Sequence, residues 1–141
     1  QGYPRFTVDL DLVVGFEPGN LLAAMRVFET LGFAPKAPVK AADFADPAIR
    51  ARWIDDKGMT VFSLWSDAFR GTDVDLFVSE PIPFAELEAA ATAIPLEVTT
   101  VPVASIQHLL RMKEAAGRPR DLEDARVLRG LLAESESSRD S

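Results

Sequence analysis

Two aspartates near the start of the chain, Asp9 and Asp11 in the run Arg5-Phe-Thr-Val-Asp-Leu-Asp, are the first residues whose spacing bears on chemistry. On a strand, residues two apart share a face and stand about 7 Å from one another, two steps of roughly 3.3 Å. Two carboxylates so placed repel unless something positive stands between them. A divalent cation such as magnesium or manganese suits them, because hard ions take oxygen ligands and bridge phosphates. The plainer reading is a solvated strand face, since 22 Asp and Glu residues among 141 produce such pairs by chance.

The run Asp73-Val-Asp75-Leu-Phe-Val repeats the pattern. Val74 and Leu76 flank Asp75 and place it inside a strand, whereas Asp73 sits at the edge of a loop. If this strand lies beside the first, Asp75 is the better third carboxylate. Decoration of a hairpin strand explains the pair equally well.

A third group spans Lys113 to Asp124. Lys113 follows Ile106 by seven residues and falls on the apolar stripe of Ile106, Leu109 and Leu110. A lysine there either snorkels to solvent or reaches an internal anion. Asp121 and Asp124 lie on the Leu128 side of the next helix. A structural ion-pair network across the turn at 117–119 accounts for these three residues as readily as a binding role.

The remaining residues exclude more than they suggest. There is no cysteine, so disulfides and thiolate chemistry are absent, in keeping with a reducing cytoplasm. The single histidine, His108, rules out a multi-histidine metal cage and reads as a surface or half-buried residue. Trp53 and Trp65 read as core. No Ser/His arrangement suggests acyl transfer, and no Walker-type phosphate loop is present. A net charge of −7 with scattered bases does not make a duplex-DNA surface. One local cationic region, from Arg111 to Arg129, suits a triphosphate or an RNA end. No apolar run is long enough for a membrane helix, and no secretory signal is visible.

The elements that must position these residues follow from periodicity. Strict alternation over 6–14 predicts a strand with one apolar face and one acidic face. A helix over 21–31, stopped by Gly32, follows a loop at 15–20. The stretch 34–42 reads as loop. Asp46 and Pro47 open a short helix through Trp53, and strands over 59–65 and 73–79 form a hairpin. A helix over 84–93, a strand over 96–103, a helix capped by Ser105 and closed by Gly117, and a last helix over 121–133 complete the chain. This predicts one α/β (α+β) domain over 1–133: a mixed, largely antiparallel sheet with helices packed on one face. The polar tail 134–141 is predicted to be disordered.

Taken in order, the segments GYPRFTVDLDLVV, DVDLFV and HLLRMKEAAGRPRDLEDARVL resemble the small prokaryotic nucleotidyltransferases of the polymerase-β-like superfamily. The likeness is to the AbiEii-like and MNT-like branch of toxin–antitoxin and phage-defence systems. It spans Gly2 to about Leu132. The resemblance implies a nucleotidyltransferase fold in which Asp9, Asp11 and Asp75 are catalytic and bind Mg2+ or Mn2+. It implies that Lys113 contacts the phosphates of a bound nucleoside triphosphate such as ATP. Asp121 matches the acid of the family's Arg-Asp element, and Arg5 and Thr7 match its R-x-T. The acceptor would be a tRNA, a protein or a small-molecule hydroxyl, and the partner a cognate antitoxin. The family's Gly-Gly or Gly-Ser turn, which cradles the triphosphate, stands upstream of the carboxylate pair, and this sequence starts after that place. The alternative is a degenerate, non-catalytic binding module of a two-protein system. An unrelated α/β domain would leave the aspartates apart in space.

Overall fold

Alternating apolar residues build the centre of a sheet from two strands, β3 (Val61–Ser66) and β4 (Thr72–Phe77). They pair antiparallel as the expected hairpin, with Leu64 opposite Val74 and Phe62 opposite Leu76. All four are buried, so one face of the hairpin is core. β1 (Val8–Leu12) joins the far side of β4 in parallel, and β2 (Phe33–Pro35) joins β3 antiparallel. The order is β1-β4-β3-β2, a mixed sheet with two antiparallel pairings and one parallel. The computed structural model describes residues 8–139. Arg5 and Thr7 lie outside the described residues.

Helix α1 (Pro18–Thr30) and helix α2 (Pro47–Lys57) supply the other half of this core. Leu21 and Met25, four residues apart on α1, are buried and share a cluster with Phe62, Leu64, Val74 and Leu76. A single 3-10 turn over Ala41–Ala45 brings Phe44 onto Phe62, with ring centroids 5.0 Å apart. Trp53 of α2 stacks on Phe62 at 5.3 Å, so it is core as expected. Trp65, by contrast, is exposed, because it alternates away from Leu64 onto the opposite face. Asp46 caps α2 by accepting from the backbone N–H groups of Ala48 and Ile49, at 2.9 and 3.4 Å. Gly58 closes the helix in the left-handed conformation, φ 60°.

Arg50 is a buried cation inside this unit. Its guanidinium donates to the carbonyl of Phe44 and lies 4.6 Å from the ring centroid of Phe16. Burial lowers its pKa, and Asp46 opposes the shift; an arginine remains charged regardless.

The chain forms two compact units, one ending at Glu80 and the second beginning at Pro81. In the second unit, α3 (Phe84–Ala90) precedes a hairpin of β5 (Thr92–Pro95) and β6 (Thr100–Val103). The single strand expected over 96–103 is thus a turn and a return strand, because the N–H of Leu96 donates to the Thr99 carbonyl at 2.7 Å. Helix α4 (Ile106–Ala116) is capped by Ser105, whose Oγ accepts from the His108 N–H at 3.1 Å. Gly117, φ 67°, turns the chain into α5 (Pro119–Arg139). Pro119 opens that helix two residues before the expected start at 121, since proline's missing N–H has no intrahelical partner in a first turn. The helix continues through Arg139 into the stretch read as tail. Ala133, Glu134 and Glu136 are good helix formers, so local propensity favours the extension.

No helix among the described residues is long and apolar enough to cross a membrane.

Candidate functional site

The parallel pairing of β1 with β4 brings the two acidic runs side by side. Asp9 is the register partner of Asp73, and Asp11 of Asp75. Partners in register project to the same face, and alternation puts residues two apart on that face too. Four carboxylate-bearing positions therefore form a patch about 5 Å by 7 Å, one strand spacing by two residues. Leu12 packs against the core on the other face, which fixes the acids on the side away from it. In this register Asp75 lies on the same sheet face as Asp9 and Asp11.

The two acids of β4 have different company. Ser63 is the register partner of Asp75 on β3, and its Oγ donates to Asp75 Oδ1 at 2.6 Å. Lys36, just past β2, places its Nζ 3.2 Å from Asp73 Oδ2. Both members of that pair are over two-fifths exposed, so it adds little to stability. Ser63 and Lys36 were not singled out in the sequence. Alternation along 61–66 does put Ser63 on the polar face, but which acid it meets depends on register. Lys36 lay in a stretch read as loop.

Among the described residues, no three Asp, Glu or His side chains close into a group of metal-holding size. What the patch offers is adjacency and donor type. Its oxygen-only donors suit a hard divalent cation rather than zinc or copper.

The Lys113 group forms within the second unit. Lys113 Nζ lies 3.1 Å from Asp124 Oδ2 and 3.7 Å from Asp121 Oδ1, across the turn between α4 and α5. Asp121 is 1% exposed and is gripped by Arg118. Nε of Arg118 donates to Oδ2 at 2.6 Å, its terminal nitrogen to Oδ1 at 3.2 Å, and its backbone N–H to Oδ2 at 3.3 Å. The Arg118 hydrogen bonds hold the Asp121 carboxyl below the usual carboxylate range, against the upward push of burial. The lysine and the two acids therefore meet as an ion-pair network. Leu109, Val127 and Leu128 line a shallow groove beside Lys113 and Asp124.

His108 is buried, more deeply than the sequence suggested. Its Nε2 lies 3.5 Å from Glu86 of α3, a carboxylate that also accepts from Arg111 at 3.3 Å.

No protein-family model matches the chain, and no curated protein matches its sequence.

Proposed function

We propose that this protein transfers a nucleotide from a nucleoside triphosphate to an acceptor hydroxyl, with Asp9, Asp11 and Asp75 as its metal-holding acids. The observation that carries the reading is the parallel register that sets Asp11 beside Asp75 and Asp9 beside Asp73 on one sheet face. That is the juxtaposition the resemblance requires of two acidic runs more than 60 residues apart in sequence.

Magnesium or manganese held there would supply charge neutralisation at the phosphates. The chain's own residues do the rest. Asp9 and Asp11 present two carboxylates at fixed spacing, and Asp75 adds a third from the neighbouring strand. Lys113, a compact point charge, is assigned to the triphosphate on the strength of the resemblance. Asp124 and Asp121 hold its ammonium in one place. Arg5 and Thr7 complete the assignment as residues preceding the acid pair. A tRNA end, a protein or a small molecule supplies the acceptor hydroxyl, and a toxin acting with a cognate antitoxin in a prokaryotic cytoplasm is the setting that the resemblance favours.

The test is transfer of label from each α-labelled nucleoside triphosphate, with magnesium or manganese, to total tRNA, to protein and to small hydroxyl compounds. Label transfer by the wild type that is lost in Asp9→Asn/Asp11→Asn and in Asp75→Asn supports the reading. Transfer that survives both substitutions overturns it.

A further inference from the structure

Helices α4 and α5 fold back on each other across Gly117, tied by Arg129 and Glu114 at 2.8 Å, but they are unequal in length. With 11 residues against 21, α5 outruns its companion by about 15 Å at 1.5 Å per residue. Residues 133–138 at its far end are all exposed. A helix end without tertiary packing is marginal in water, so this overhang lacks what stabilises the rest of α5. The helix also carries a seam. Arg120, Asp124, Val127, Leu131 and Glu134 follow one another at steps of four, three, four and three, the spacing of a paired helix. Arg120 stands at its start and Glu134 at its end. Between them Val127 is 57% exposed and Leu131 46%. Asp124 is already answered by Lys113 at 3.1 Å. Leu109 and Leu128 join Val127 in the shallow groove between α4 and α5, alongside the middle of the seam.

We propose that α5 pairs antiparallel with the α5 of a second copy of this chain, each overhang lying along the other's groove. Two features select a second copy over an unrelated helix. The first is charge. Reversing one copy sets the acidic end of the seam against its basic start. The register that packs Leu131 of one copy on Val127 of the other also brings Glu134 within a turn of Arg120, and two-fold symmetry repeats both contacts. The second is length. In that register residues 133–138 run beside residues 120–125, so the helix end that has no companion within its own chain gains one. The seam is short, below the roughly 1,200 Å² of tight complexes, so the dimer is expected to be reversible. None of this depends on nucleotidyl transfer.

Sedimentation equilibrium from low to high micromolar protein is expected to show a monomer–dimer equilibrium. Leu131→Glu, at an exposed position, is expected to keep the circular dichroism spectrum and weaken dimerisation by about tenfold or more. Glu134→Arg is expected to weaken it several-fold, and Arg120→Glu/Glu134→Arg to recover it. The chain has no cysteine, so Val127→Cys and Leu131→Cys report the pairing directly. Mixed under mild oxidation, these two variants are expected to cross-link with each other faster than either does with itself. A wild type that stays monomeric overturns the proposal and leaves the groove to a helix of another protein. A dimer unmoved by both Leu131→Glu and Glu134→Arg places the contact elsewhere and overturns it too. Leu131→Cys that cross-links fastest with itself overturns the antiparallel register, and the proposal with it.

Discussion

Asp11 and Asp75 face each other across a parallel strand pairing, two like charges one strand spacing apart. Cross-strand like charges cost stability, by about 0.5 kcal/mol for a directly opposed pair. Magnesium at millimolar concentration is expected to raise the wild-type melting temperature by mass action, and to leave Asp9→Asn/Asp11→Asn unmoved. Identical magnesium responses in thermal scans of both proteins would place the metal elsewhere.

Asp121 sets an acid limit on the unit beginning at Pro81. Its carboxyl is held below its ordinary value by Arg118, so folding favours the ionised form. That contribution is fully present above the unfolded value of about pH 3.9 and disappears as pH falls through the lower native value. Denaturation monitored from pH 7 to pH 2 should show stability that is flat down to about pH 5 and then declines. Asp121→Asn should lose about 2 kcal/mol at pH 7 and show a shallower acid decline. A variant with the wild-type slope would assign the acid sensitivity to another carboxylate.

Arg50 tests the core of the first unit. Arg50→Met keeps much of the stem's volume but removes the donor to the Phe44 carbonyl and the cation over Phe16. The abandoned carbonyl costs about 1–3 kcal/mol, and the lost cation–ring contact about 1 kcal/mol. Urea denaturation should show a loss of about 3 kcal/mol for Arg50→Met. Arg50→Lys should fall between it and wild type, because an ammonium cannot reproduce the planar fork. A methionine variant as stable as wild type would mean that apolar packing suffices there.

Much of both units could be read from alternation and capping. Phe62, Leu64, Val74 and Leu76 are buried as period two requires, and Asp46–Pro47, Ser105 and Gly117 mark helix ends by their local chemistry. Pairing was less accessible. That β1 would lie parallel to β4, with Asp11 beside Asp75, depends on contacts over 60 residues apart that no local pattern encodes. β2 was missed because Pro35 reads as a breaker; at a sheet edge, a proline need donate no ladder bond. With β2 went Lys36 and its ion pair to Asp73. The Lys113–Asp121–Asp124 grouping was legible, since helical spacing and a tight turn fix all three.

Lys113 is where a structural and a phosphate-binding role diverge most. Its ammonium lies between Asp124, nearly half exposed, and Asp121, which keeps its Arg118 bonds whatever happens to the lysine. Removing the charge therefore strands no buried carboxylate, and the stability cost of Lys113→Met should be about 1 kcal/mol or less. The methionine preserves most of the apolar stem against Leu109 and its neighbours. If the ammonium serves the phosphates, the same substitution should weaken binding of ATP with magnesium by at least several-fold, with the fold intact. Titration of labelled ATP into wild type and Lys113→Met, beside their melting curves, reads both quantities. Weakened binding with a nearly unchanged melting temperature is the expected result. Unchanged affinity with a lowered melting temperature would make Lys113 a tie between α4 and α5 and end its assignment to the triphosphate.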